Sequence, residues 1–203
     1  GRNGWKPSRL WPVAPPTPVE RRLWYRGDES VYGWTGTVFV DGAADKYHWY
    51  SGLDIAGYGI AQLVLDHGTY GLAWGLYGTV PPGPQTAPRS EHYVVFVVLY
   101  HAIPPIEIVT DHQGIIDGIT NGPAWCTSWE RAQADIWRDI WRLIDELGGI
   151  GPEAVSFSKQ KAHAKAVDCE SHETRQRRIG NNWADWLAVE GKKLQCSSAY
   201  NAA

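Results

Sequence analysis

Four carboxylates stand where they could act together. Asp41 follows the apolar run Thr37-Val38-Phe39-Val40 and precedes Gly42, and Asp111 follows Ile106-Glu107-Ile108-Val109-Thr110. Runs of β-branched residues favour strands, so each of these acids is expected to end a strand. Glu91 lies early in a stretch that opens with Thr86, a helix cap, and Pro88, a first-turn proline. Asp185 lies early in a helix that starts at Gly180-Asn181. Singly, each acid has an ordinary explanation: a strand-end turn for Asp41 and Asp111, a solvated helix position for Glu91, a helix-dipole partner for Asp185. Together they suggest more. If the strands ending at Asp41 and Asp111 are parallel neighbours, their carboxylates meet at one sheet edge, within reach of Glu91 and Asp185. Converging carboxylates suit hard cations that take oxygen ligands, Mg²⁺ above all. Two such ions about 3.5–4 Å apart activate a water and steady the leaving oxygen in phosphoryl transfer.

The elements that must position these acids fit one domain. The chain has 203 residues. Residues 1–33 are rich in Pro, Arg and Trp and read as an irregular lead-in; 34–194 read as the domain and 195–203 as a disordered tail. Residues 36–41, 56–65 and 69–79 read as an antiparallel meander, with Asp66-His67-Gly68 as a hairpin turn. Residues 91–100 favour a strand by propensity, but the Thr86 cap and Pro88, together with the family order given below, make them a buried helix. A strand follows at 106–111 and a short helix at 113–120. The apolar spacing of Ala132, Ile136, Ile140, Leu143, Ile144 and Leu147 predicts a long helix over 128–147, capped by Ser128, with Trp129, Trp137 and Trp141 as packing residues. A last strand at 154–157, a polar loop and a helix from Gly180 to about Lys193 complete the order β-β-β-α-β-α-α-β-α.

Composition limits the partners. No apolar run approaches the roughly 20 residues of a membrane span, so no membrane is expected. Three widely spaced cysteines, Cys126, Cys169 and Cys196, match neither a zinc site nor a disulfide framework and read as reduced intracellular thiols. A formal net charge of −3 does not advertise a nucleic-acid binder. A metal-binding acid cluster would itself depress that charge, and local basic residues remain: Lys159, Lys161, Lys165, Arg175, Arg177 and Arg178. The chain begins at Gly1 and contains no Met, which reads as a piece of a larger protein.

The chain resembles type 1 ribonuclease H. The matching pieces, in the family's order, are Val40-Asp41-Gly42; Thr86, Arg89 and Glu91; Val109-Thr110-Asp111 and Gln113, with Gly118-Ile119-Thr120; Ile136-Trp137; Lys161-Ala162-His163; and Gly180-Asn181 with Ala184-Asp185, Leu187 and Ala188. The resemblance implies the ribonuclease H-like fold, an α/β (α+β mixed sheet) architecture of five strands in the order 3-2-1-4-5 with helices on both faces. It implies an endonuclease that hydrolyses the RNA strand of RNA–DNA hybrids. Asp41, Glu91, Asp111 and Asp185 would ligate two Mg²⁺, with Mn²⁺ as a substitute. Water would attack the RNA phosphorus in line, leaving 5′-phosphate and 3′-hydroxyl ends. His163 matches the family's auxiliary catalytic histidine, with His172 as a rival. Gly42, Ala43, Thr86, Gln113, Asn181, Lys161, Arg175 and Arg178 would meet the hybrid, whose RNA strand is recognised through its 2′-hydroxyls. A retroelement polyprotein, with further domains as partners, is the implied setting.

The departures from the family pattern are specific. Ala87-Pro88 replace the Asn-Asn that often follows the threonine, Asn182 stands where a Glu commonly follows Gly-Asn, and Asn121–Thr127 is too short for a basic handle helix. Two other readings stay open: a ribonuclease H-like nuclease of the transposase or integrase type, and a non-catalytic module that binds nucleic acid or protein.

Overall fold

The computed structural model describes residues 20–24, 33–46, 54–161 and 170–200, with side chains from 33 to 195 within those spans. The elements run β1 (Glu20–Trp24), β2 (Trp34–Asp45), β3 (Ile55–Asp66), β4 (Thr69–Thr79), α1 (Ala87–Tyr100), β5 (Ala102–Thr110), α2 (Gln113–Asn121), α3 (Pro123–Cys126), α4 (Ala134–Glu146), β6 (Val155–Lys159) and α5 (His172–Tyr200). They form one mixed sheet in the order β1-β4-β3-β2-β5-β6. Counted from β2, its five core strands stand in the expected order 3-2-1-4-5. The β2–β3 and β3–β4 pairs are antiparallel, and β2, β5 and β6 run parallel.

Local chemistry explains the hairpin and the helical state of the most strand-like apolar run. The two-residue turn between β3 and β4 is His67 (φ 47°) and Gly68 (φ 76°), both left-handed as a tight hairpin of matching twist requires. The valine-rich segment forms α1, not a strand. Thr86 accepts a hydrogen bond from the Arg89 N–H at 3.3 Å through its Oγ1, and Pro88 sits in the first turn. Burial then overrides propensity: Val94, Val95, Val98 and Leu99 are almost wholly enclosed between the sheet and α4. That core also takes Ile115 of α2, Cys126 of α3, and Trp137, Ile140 and Ile144 of α4. On the other face α5 packs Ala184 and Leu187 against Phe39, Ala61, Leu72 and Val109. Its approach is close: a Cβ on Gly180 would enter the Phe39 ring, and one on Gly191 would strike the Gly78 carbonyl.

Four expectations need correction. Residues 20–24, expected within an irregular lead-in, form the edge strand β1, paired antiparallel to β4 from Glu20↔Gly78 to Trp24↔Trp74. Edge pairing is made by backbone groups, which leave no apolar alternation to read. Residues 195–200, placed in the tail, continue α5 in the structure, where Lys192 pairs with Asp45 at 2.8 Å and Gln195 Oε1 accepts from the Ala56 N–H. The same helix begins at His172, eight residues before Gly180, with the Ser171 hydroxyl accepting from the Thr174 N–H at 3.1 Å. Finally, α4 begins at Ala134. Arg89 of α1 bonds both Gln133 and Asp135 and fixes that start, while Trp129 is 86% exposed outside the helix. Among the described residues, no helix is long and apolar enough to cross a membrane.

Candidate metal centre

The parallel pairing of β2 with β5 aligns Phe39 with Val109, so Asp41 and Asp111 lie two residues further along neighbouring strands. β2 does not end at Asp41 but continues beside β3 to Asp45; Asp111 lies just past the end of β5. Phe39 and Val109 pack with α5, and the two-residue period gives Asp41 the same face. Glu91 arrives from α1. Its approach depends on Gly42, where a Cβ would collide with the Ser90 side chain and the Glu91 backbone nitrogen. One carboxylate oxygen from each of Asp41, Glu91 and Asp111 lies within 4.8 Å of the other two. Asp185, on α5, lies outside that triad but near enough that its charge acts on Asp41.

The electrostatics are uncompensated. Asp41 and Glu91 are only 7% and 6% exposed. Among the described residues, no lysine or arginine forms an ion pair with any of the four acids. Burial, then the charge of Asp111, pushes Asp41 up to about 7, with a smaller push from Asp185; hydrogen bonds from Glu91 and from the Gly42 N–H, the latter at 2.7 Å, pull it partly back. Burial and the neighbouring Asp41 hold Glu91 well above the usual carboxylate range. Its Oε2 is buried without a hydrogen-bond partner. A buried cluster of this kind must hold protons or bind a cation. An all-oxygen donor set with an unpartnered buried oxygen fits a hard divalent ion.

The remaining candidates fall into distinct settings. Thr86 caps α1 five residues before Glu91, and Ala43 continues β2 beyond Gly42. Gln113 opens α2, where its Oε1 accepts from Lys159 and its Nε2 donates to Asp117 at 2.7 Å. Asn181 is 3% exposed, one turn before Asp185, with its Oδ1 buried and unpartnered. Lys161 is exposed just after β6 and Arg175 is half-buried on α5. Arg178 instead faces Glu170 in a two-pronged pair at 3.0 and 2.9 Å, and Arg177 bridges Glu107 and Glu173. His172 is the exposed first residue of α5, whereas His163 lies outside the described residues.

Sequence reasoning passed over two histidines behind the acids. Glu91 is followed by His92 and Asp111 by His112, and their rings meet edge to face at 5.6 Å. The repeated acid–histidine step was the available signal. Burial lowers His92 to about 4 and also lowers His112, so both rings are neutral near pH 7 and add no positive charge to the site.

No protein-family model and no curated protein matches the chain. Solved structures do. A PFV RNase H domain superposes with a TM-score of 0.55 at 20% identity, over 78% of this chain and 94% of that domain. The native protease–reverse transcriptase of prototype foamy virus gives 0.57 at 22% identity, over 77% of this chain and 20% of that one. A foamy viral protease–reverse transcriptase solved with an RNA/DNA hybrid gives 0.54 at 18% identity, with the same coverage. This chain therefore spans about a fifth of the length of these two protease–reverse transcriptase chains. Strand order, helix placement and these superpositions together establish the ribonuclease H-like fold.

Proposed function

We propose that the protein is a metal-dependent endonuclease of the type 1 ribonuclease H kind, cutting the RNA strand of RNA–DNA hybrids. One observation carries the reading: three carboxylates converge within 4.8 Å, two of them buried, with no cationic partner among the described residues. In this reading Asp41, Glu91, Asp111 and Asp185 hold two Mg²⁺, with Mn²⁺ able to substitute. Bound there, the ions supply an activated water and stabilise charge on the departing 3′ oxygen. The chain's own contribution is rigidity. β2 and β5 fix Asp41 and Asp111, Gly42 admits Glu91, and α5 brings Asp185 to the same edge. Gln113, restrained by Lys159 and Asp117, and Thr86 flank the acids as hybrid contacts. Gly42 and Ala43, on β2 beside the acids, and Asn181, one turn before Asp185, complete that contact set. Lys161 and Arg175 serve the phosphates, with Arg178 available only when Glu170 releases it. His163 or His172 assists proton transfer or product release. The products carry 5′-phosphate and 3′-hydroxyl ends, and the larger setting is a retroelement polyprotein.

A second reading, a non-catalytic nucleic-acid or protein-binding module, is favoured by Ala87-Pro88 and by the capture of Arg177 and Arg178 in ion pairs. A transposase- or integrase-type nuclease is the rival within the fold. Cleavage assays on a labelled hybrid, duplex RNA and duplex DNA, with Mg²⁺, Mn²⁺ or EDTA, separate all three. Metal-dependent cutting of only the hybrid's RNA strand is the expected result. Cutting of duplex DNA supports the rival nuclease, and no cutting by folded protein supports the module.

A further inference from the structure

The loop that leads into α1 is poor in donors of its own. Residues 81–86 read Pro-Pro-Gly-Pro-Gln-Thr, so three of the six have no backbone N–H. The carbonyls of Pro81 and Gly83 are bonded instead by the side-chain amide of Gln85, at 3.0 and 3.3 Å. Gln85 is itself held from a distant part of the chain. Its Oε1 accepts from Gln195 Nε2 at 3.1 Å, and Gln195 Oε1 accepts from the Ala56 N–H at 3.0 Å. One turn earlier on the same helix, Lys192 grips Asp45 at the end of β2. A chain of two amides thus runs from the start of β3, through the last turns of α5, to the loop that presents Thr86.

We infer that Gln195 is a positioning residue for Thr86. It acts through Gln85 to set the shape of the loop on which the substrate-contact threonine stands. The inference rests on the proposed hydrolysis of a hybrid, with Thr86 as one of its contacts. It gives the C-terminal turns of α5 a part in substrate binding, although they lie more than two turns beyond Asp185. The two amides are used fully. Each donates with its nitrogen and accepts with its oxygen, so a residue offering only acceptors cannot replace either one.

The test uses the full chain with four variants: Gln195→Ala, Gln195→Glu, Gln85→Ala and the double alanine. Gln195→Glu keeps an oxygen for the Ala56 N–H but removes the donor to Gln85. Amide exchange is read at Ala56 and at Gln85–Arg89, beside kcat and KM for a hybrid. Gln195→Ala should speed exchange at both places roughly fivefold, the factor expected for one hydrogen bond. Gln195→Glu should speed it only at Gln85–Arg89. KM should rise roughly fivefold with kcat within about twofold, and the double variant should resemble either single alanine variant, because both break one chain. Unchanged exchange at Gln85–Arg89 in Gln195→Ala overturns the inference, as do multiplied effects in the double variant or a fall in kcat at constant KM. If the wild-type protein cuts no hybrid, the functional reading falls by itself, and the exchange data still decide the relay.

Discussion

Replacing Asp41 by Asn should stabilise the metal-free protein near neutral pH while destroying its response to metal. The magnitude follows from the position of the acid. Asp41 is raised from an ordinary 3.8 to about 7, first by burial and then by Asp111. Below the ordinary value the folded and unfolded states both hold the proton, and the group does not affect stability. As pH rises toward 7 the unfolded chain releases the proton and the folded chain keeps it, so stability falls. Above about 7 the loss is complete. Each pH unit is worth about 1.4 kcal/mol, so the span of roughly three units corresponds to about 4 kcal/mol. In the Asp41→Asn variant that loss is absent: the new side chain is neutral, can still accept from the Gly42 N–H, and can donate to Glu91. At this chain length about 4 kcal/mol corresponds to a midpoint rise of roughly 10 °C. Thermal unfolding followed by circular dichroism in EDTA, at about pH 4.5 and about pH 8, reads both limbs. The variant should match the wild type at the lower pH and exceed it at the higher. Mg²⁺ should raise the wild-type midpoint and leave the variant unmoved. An equal midpoint at about pH 8, or the same difference at both pH values, would show that the carboxylates are not the strained cluster described.

Three further outcomes are expected. Asp111→Asn should reduce cleavage by at least about a thousandfold while hybrid binding in Ca²⁺, read by fluorescence anisotropy, stays within about threefold; equal loss of both assigns Asp111 to structure alone. Gly42→Ala should cost about 1–3 kcal/mol in urea unfolding and weaken Mn²⁺ binding by calorimetry, because the new methyl meets Ser90 and the Glu91 backbone; an unperturbed Mn²⁺ affinity refutes the role given to that glycine. Arg177→Ala should destabilise by about 1 kcal/mol, less in high salt, because Glu107 keeps its bonds from Thr37 and Ser158; a salt-independent loss would point to packing instead.

Much of the site was legible because it is made by local patterns that repeat. The runs before Asp41 and Asp111 are strand-like, and both proved to be strands in parallel register. The helix carrying Glu91 was legible only by weighing the Thr86 cap, Pro88 and the family order against four valines. What escaped was tertiary. Arg177 meets Glu107 across 70 residues, and that pairing decides whether a basic run faces solvent or an acid. Arg178 and Glu170 are eight residues apart, and their pairing is not readable from sequence spacing alone. The early start of α5 was readable in principle, since Ser171-His172-Glu173-Thr174 carries a cap and a first-turn acid. Its late end was not, because the helix is tied through Gln195 and Lys192 to partners on β3 and β2.

The charge distribution resolves an apparent contradiction in the sequence. A net charge of −3 would ordinarily repel a polyanion, and the cations that might have offset it near α5 are partly spent within the protein. The negative charge at the candidate centre is concentrated in groups that a divalent ion would neutralise, while His92 and His112, the imidazoles behind them, are held neutral. In the proposed reading, metal binding would therefore remove negative charge from the site as well as supply chemistry. On that reading the empty centre would disfavour a phosphate backbone more than the filled one. Affinity for metal and affinity for nucleic acid would then be two expressions of one coupling free energy, acting equally in both directions.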